Sequence, residues 1–344
     1  MGRDVVVRPL METVVMRAIG LTEFGGPEVL RVLDLPEPVP GAGELRIRVH
    51  AASVNPTDTM LRTGAVRAWF NGRPGPYVPG MDAAGVVDAI GPDTDTALRP
   101  GDPVVAISNA YGPHGGAYAE LVVVPAESVV PIPSGADFAA ASTLLMNALT
   151  ARVALDLLAV PAGRTVAVTG AAGAVGGYAV QLAKSDGLRV LADASAADTQ
   201  LVTSLGADEV VLRGDGVAGR FRALVPDGVE AVLDGAALHE LILPAVRDGG
   251  GLAVVRRWDG PVDRGIHLRP VLVTEAATDH ARLLRLRDQA STGELTLRVA
   301  DVLPADQAAQ AHRRLAEGGV RGRLVLDFTV IRGDRGRSPF GGRG

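Results

Sequence analysis

Alternation organises the first third of the chain. In ELRIRVHAASV, Leu45, Ile47 and Val49 alternate with Arg46, Arg48 and His50, the two-residue period of a strand with one wet face. The same short, β-rich texture runs through MRAIGLTEF, VLRVLDLPEP, GVVDAI, DPVVAI, YAELVVV and SVVPIP, with Gly/Pro-rich turns between. Several short strands at this spacing predict a compact, partly open β-barrel up to about residue 130.

The texture changes near Ser134. SGADFAAASTLLMNALTARVALDLL has Ser134 and Asp137 as helix start signals ahead of an apolar helical run. From Arg164, strands alternate with helices: RTVAVTG, GGYAVQLAKSDG, LRVLAD, AADTQLVTSLGA, DEVVLRG, FRALVP, VEAVLDG, LHELILPAVRDGG and GLAVVRR. This βαβαβ order predicts a parallel sheet with helices on both faces. After about Arg269 come VLVTEA, a charged helix around HARLLRLRDQA, and ADQAAQAHRRLAEGG followed by RGRLVLDF, pieces expected to return to the first domain. The fold class expected is α/β, with the barrel and an inserted doubly wound parallel-sheet domain. The division expected is an N-terminal extension over 1–15, a barrel over 16–133 and 275–330, a parallel-sheet domain over 134–274, and a disordered Gly/Arg-rich tail over 331–344.

Composition narrows the partners. A chain of 344 residues suits two domains, and with 47% hydrophobic but only 3% aromatic residues the core must be aliphatic. The net charge of −5 offers no basic footprint for nucleic acid and no polybasic membrane patch. There is no cysteine, which excludes disulfides and thiolate-ligated metals. No apolar run is expected to approach the about 20 residues that span a bilayer. The N-terminus lacks a secretory pattern, so a cytoplasmic protein is expected.

The sharpest chemical signal is TVAVTGAAGAVGGYAVQLAK, residues 165–184. A Val-rich strand ends at Thr169, glycines follow at Gly170, Gly173, Gly176 and Gly177, and a helix begins at once. Such a turn lets backbone approach a diphosphate, and the helix N-terminus offers free N–H groups and a positive dipole end. An acid follows about 20 residues later, as dinucleotide sites require: Asp193, closing LRVLAD. At the adenosine ribose its carboxylate would repel a 2′-phosphate and favour NADH. Capping the next helix is an equal reading, since Ala194 and Ser195 open that segment. Ser195 could instead donate to a phosphate, although AADTQ carries no cation.

At this point the sequence resembles the medium-chain dehydrogenases/reductases, specifically the zinc-free quinone oxidoreductase branch. The resemblance runs from about Met16 to Phe328, through ASVNPTDTMLRTG, PYVPGMDAAGVVDAIG, LRPGDPVVA, GGAYAELVVVPAESVVPIP, AASTLLMNALTARVAL, the Gly-rich turn and SLGADEVV. It implies a GroES-like barrel broken in sequence by a Rossmann domain, with NADPH (or, given Asp193, NADH) in the cleft between them. It implies hydride transfer to a quinone or a carbonyl-conjugated alkene, and a homodimer formed through Rossmann edge strands, here GIHLRPVLV. Alternatives are a nucleotide-binding protein with little catalysis and a biosynthetic enoyl reductase.

The same resemblance nominates residues. Asn55 is placed near the nicotinamide and substrate, to hold the carboxamide or donate to a carbonyl oxygen. Cofactor contacts are expected from Thr150, Gly170, Ala172, Gly173, Ala174, Val175, Gly176, Asp193, Ser195, Asp234, Val255 and Arg323, the cleft wall from Met60, Tyr77, Met146, Asn147 and Trp258. Asp58 reads as a turn cap. Met60 stands where relatives often carry a Tyr, so a phenolic proton donor is missing there. Arg256, Arg257 and Trp258 depart from a usual Gly; they either narrow the cleft or offer a positive group to an acidic or polar substrate, or else both arginines face solvent and Trp258 packs on the interdomain face. Met81-Asp82 stands where the zinc-dependent branch has His-Glu, so no metal is expected.

Overall fold

The structure, a computed structural model, describes residues 14–331. The expected extension and tail fall almost wholly outside the described residues.

The first strands are β1 (Val15–Gly20) and β2 (Arg31–Pro36), an antiparallel pair. Then come β3 (Glu44–Ser53), α1 (Pro56–Thr63), β4 (Asp82–Ile90), β5 (Pro103–Ile107), β6 (Leu121–Pro125) and β7 (Val129–Pro131). The alternation in β3 is realised: Leu45, Ile47 and Val49 are buried, while Arg46 Nε on the wet face donates to Asp88 Oδ2 at 2.7 Å.

The chain next forms α2 (Phe138–Ala141) and α3 (Leu145–Leu158). It then alternates through β8 (Thr165–Thr169), α4 (Ala174–Ser185), β9 (Arg189–Ala194), α5 (Thr199–Ser204), β10 (Glu209–Leu212), α6 (Val217–Leu224), β11 (Val229–Asp234), β12 (Val246–Val254) and β13 (His267–Pro270). These strands form one parallel sheet in the order β10-β9-β8-β11-β12-β13. The order reverses beside β8, the switch point at which doubly wound sheets bind nucleotides. Both faces are covered: Val166 and Val168 join the core shared with α3 and α4, whereas Ala167 between them joins the core with α6.

After α7 (His280–Ser291), β14 (Val299–Pro304), α8 (Ala308–Glu317) and β15 (Arg323–Asp327) complete the barrel sheet, ordered β14-β15-β3-β4-β5-β7 with β6 on β3. β15 pairs antiparallel with β3, returning the chain to the first sheet.

Three expectations need correcting. The helical stretch Phe138–Leu158 is, by length and composition, apolar enough to cross a membrane, but most of it is buried inside the fold. The stretch LHELILPAVRDGG is not one helix: a 3-10 turn spans His239–Ala245, and β12 takes over at Val246, where a Cβ on Gly250 would come within 2.7 Å of the Glu230 carbonyl oxygen on the neighbouring strand. β14 was not foreseen, because its sequence VADVLP has one buried residue, Leu303, and no alternation.

Candidate active site

Asp82 opens β4 with 0% exposure. Its Oδ2 accepts from Ser53 Oγ and from Asn55 Nδ2, both at 2.8 Å, and its Oδ1 accepts the Met146 backbone N–H at 2.8 Å. Met146 lies in the first turn of α3, where the leading N–H groups have no partner within the helix. A carboxylate there caps the helix and complements its dipole. Burial pushes the Asp82 carboxyl up; the three hydrogen bonds and the Arg323 cation oppose that shift.

Asn55 is 2% exposed, and its amide nitrogen also donates to Ser53 Oγ at 3.1 Å. An amide nitrogen has two hydrogens, and both are engaged. Its Oδ1 faces Asn147 Nδ2 at 3.4 Å, and Asn147 Oδ1 in turn accepts from Arg323. Arg323 is 8% exposed, so it reaches Asn147 within the interior. Thus Ser53, Asn55, Asp82, Asn147 and Arg323 form one buried network linking β3, β4, α3 and β15.

A second buried chain adjoins it. Asp58 Oδ2 accepts the Asn55 N–H at 2.8 Å and Oδ1 the Gly80 N–H at 2.8 Å, closing the first turn of α1 as a cap. The Tyr118 hydroxyl donates to Asp58 Oδ2 at 3.3 Å and also meets His312 Nε2 at 3.3 Å. Arg62 Nε donates to His312 Nδ1 at 3.3 Å. That bond makes Nδ1 the acceptor and puts the imidazole hydrogen on Nε2, facing the tyrosine. Burial pushes the Asp58 carboxyl up to about 7 and, with the Arg62 cation, pushes His312 down to about 3.

The Gly-rich turn lies at the C-terminal end of β8. Gly170 has φ +67°, a left-handed backbone that glycine adopts freely. A Cβ on Gly176 would sit 2.2 Å from the Gly170 carbonyl oxygen, so the helix must start with glycine at that position to pack on its own turn. Such close packing of a helix start on its own glycine turn is a feature of dinucleotide-binding turns. Asp193, 4% exposed, accepts the Gly170 N–H at 2.7 Å. Burial pushes its carboxyl up, while bonds from the Gly170 and Ala171 amides and the nearby Arg213 cation oppose. Asp193 therefore braces the turn. Thr169 Oγ1 donates to Asp234 Oδ1 at 2.6 Å, and Asp234 also holds the Leu238 and His239 amides, which fixes the loop after β11 beside the turn.

Ser195 Oγ donates to Asp198, which is paired by Arg321. The sequence shows no cation in AADTQ, yet Arg213 from the end of β10 and Arg321 from the return segment both act on Asp198. Arg298, also from the return segment, donates to the carbonyl oxygens of Ala172 at 3.0 Å and Gly173 at 2.5 Å.

The remaining nominated residues are placed as follows. Ala174 and Val175 open α4. Thr150 is half-buried and donates to Met146 O at 2.6 Å. Met146 and Asn147 are buried at the start of α3. Met60 is half-buried in α1, and Tyr77 stacks on Phe24 while donating to Arg73 O at 3.0 Å. Val255 follows β12; Arg256 and Arg257 are exposed, and Trp258 stacks on His239 with 2° between the rings. Ser53, Tyr118, His312 and Arg298 join these clusters without any local sequence signal. They sit in stretches whose pattern reads as ordinary strand or helix, and only tertiary contact brings them in. Among the described residues no three His, Cys, Asp or Glu side chains converge as a metal site.

The fold and this site define a two-unit dinucleotide-binding protein, a barrel set against a doubly wound sheet. Comparison agrees. Residues 41–134 match the alcohol dehydrogenase GroES-like domain and residues 205–326 the zinc-binding dehydrogenase domain. The quinone oxidoreductase of Mus musculus is 31% identical, over 90% of this chain and 97% of its own. Among solved structures, a mycobacterial quinone oxidoreductase is 34% identical with TM-score 0.77, covering 91% of this chain and 99% of its own. A mycobacterial protein complexed with NADPH is 33% identical with TM-score 0.80, again over 91% and 99%. The chain belongs to the quinone oxidoreductase branch of the medium-chain dehydrogenases/reductases.

Proposed function

We propose that this protein is an NADPH-dependent reductase of quinones or carbonyl-conjugated alkenes. The observation that carries the cofactor preference is the pair Arg213 and Arg321 beside Ser195 and Asp198, at the end of β9 where a ribose 2′-phosphate lies in such folds. Asp193, the residue that would repel that phosphate, is turned to the Gly170 amide instead. The relative complexed with NADPH supports this reading.

The bound dinucleotide supplies the hydride; this chain's residues bind, orient and exclude water. Gly170 to Gly176 and the start of α4 receive the diphosphate. Asn55 acts by position: held by Asp82, Ser53 and Asn147, it fixes the floor of the cleft. Without a free side-chain acid in this network, water supplies the proton to the reduced acceptor. Quinones suit that chemistry because reduction spreads charge over the ring. No step requires a metal in this proposal.

The unit boundaries proposed are 16–133 with 275–330 for the barrel and 134–274 for the nucleotide unit. We also propose a homodimer through β13, the last strand of the parallel sheet, whose outer edge is unpaired among the described residues. A monomeric mass by light scattering would count against the dimer. The central test is oxidation of NADPH and NADH against a quinone and enone panel, before and after exhaustive chelation. Turnover with NADPH favoured and chelation without effect is expected. Dinucleotide binding with no turnover on any acceptor would refute the enzymatic reading. Arg321→Ala should raise KM for NADPH by about tenfold and leave NADH within twofold; equal effects on both would remove Arg321 from the 2′-phosphate.

A further inference from the structure

Arg298 stands out among the cations of this chain. It comes from the segment just before β14, yet its guanidinium lies on the Gly-rich turn of the other unit, donating to the carbonyls of Ala172 and Gly173. A Cβ on Gly177 would come within 2.2 Å of Arg298 Nη2. Gly177 therefore leaves the space in which the guanidinium sits, and this explains the second glycine of the GG pair, which the packing of Gly176 on Gly170 does not.

The electrostatics of that position are unbalanced. The guanidinium is half-buried, and no carboxylate pairs with it among the described residues. Its charged neighbours are the cations Arg321 and Arg323, and it sits beside the first turn of α4, where the Gly173 carbonyl also accepts the Gly177 amide. Burial pulls the guanidinium's pKa down, with the Arg321 cation acting in the same direction and Tyr178 against it. Carbonyl oxygens satisfy two of its five N–H donors but neutralise nothing. A partly buried cation without a counter-charge is costly. The arrangement closes if an anion joins it at the start of α4.

We infer that Arg298 is a diphosphate clamp: it closes on the dinucleotide from the barrel side, opposite the α4 N-terminus, so that both units hold the same anion. The inference rests on the reading of the turn as a dinucleotide site. The anion is the diphosphate common to NADPH, NADH and ADP-ribose, so Arg298 sets affinity and leaves the choice between NADPH and NADH unaffected. It acts on the cofactor itself, and its remaining N–H groups present a planar fork that suits phosphate oxygens.

The test is direct binding to the full chain by calorimetry. R298Q should raise Kd for NADPH, NADH and ADP-ribose by similar factors of about tenfold or more, since one charge-assisted contact to phosphate is worth about that much. Adenosine, which lacks the diphosphate, should shift less than twofold in a competition assay. The salt dependence of dinucleotide binding should become shallower, because a phosphate-facing charge has gone. R298K should recover part of the affinity. Gly177→Ala, which keeps the charge but displaces the guanidinium, should weaken all three diphosphate ligands in the same way, and covers the case in which R298Q does not fold. Unchanged dinucleotide affinity in R298Q, or an equal loss for adenosine, would overturn the inference and leave Arg298 as a staple between the units. A wild-type chain that binds no dinucleotide would remove the reading of the turn itself, a distinguishable failure.

Discussion

The Asp193 carboxylate accepts the Gly170 amide hydrogen at 2.7 Å, tying the end of β9 to the end of β8. An acid at this position is ordinarily read as a ribose ligand that selects NADH. Here it braces the Gly-rich turn between β8 and α4. Asp193→Ala should therefore weaken NADH and NADPH together, by about tenfold, from loss of a charged acceptor to backbone N–H groups. The ratio of the two affinities should stay within about twofold. A selective gain of NADPH binding in the titration would restore the ribose role.

The two adjacent glycines separate by what their missing Cβ atoms would touch. On Gly176 it would meet backbone, the Gly170 carbonyl oxygen at 2.2 Å, and on Gly177 it would meet the far end of Arg298. Backbone cannot step aside cheaply, whereas a flexible side chain can. Gly176→Ala should abolish dinucleotide binding and lower stability by about 1–3 kcal/mol, the usual cost of overpacking. Gly177→Ala should keep the melting temperature within a few degrees. Equal thermal losses in the two variants, read by calorimetry, would contradict this distinction.

Asp58 and His312 face one hydroxyl, that of Tyr118, and their titrations oppose each other. The fold holds His312 neutral down to about 3, so stability is lost as pH falls below the unfolded value near 6.5. It also raises Asp58 to about 7, so stability is lost as pH rises from the unfolded value near 3.8. Between those unfolded values the two slopes, each about 1.4 kcal/mol per pH unit, cancel. His312→Asn removes one of them. Urea titrations should show its deficit relative to wild type shrinking by about 1 kcal/mol for each pH unit lowered across that window. Parallel pH curves for the two proteins would argue against a neutral buried imidazole.

Asp82 serves three donors at once. Asp82→Ala would leave the Met146 amide, Ser53 and Asn55 without their acceptor, and Arg323 without the charge that faces it. A loss of about 3–5 kcal/mol is expected in denaturant unfolding, the range for breaking a buried charged network. A loss below about 1 kcal/mol would mean that water replaces the carboxylate.

The sequence made the architecture readable because periodicity carried it: two-residue alternation in β3, buried strands alternating with helices from Thr165 on, and a glycine-rich turn between β8 and α4. The strand that broke the pattern, β14, was invisible because it lies mostly exposed beside β15 and needs no hydrophobic face. At the site, glycines and Asp193 were legible because their spacing is local. Arg298 was not, since 121 positions separate it from Gly177 and no short motif marks it. The role of Asp193 was also out of reach. Whether a carboxylate faces a ribose or its own turn depends on one side-chain rotation, and alternation says nothing about that.

Asp82 also bears on how this branch could change. A sequence with His-Glu at positions 81 and 82 would not simply gain a ligand pair. The Glu carboxylate would have to serve the Met146 amide, Ser53 and Asn55 from one methylene further out while also turning to a metal. The carboxylate at position 82 thus ties the start of α3 to β3 and β4, so a change of chemistry at that position is also a change of packing.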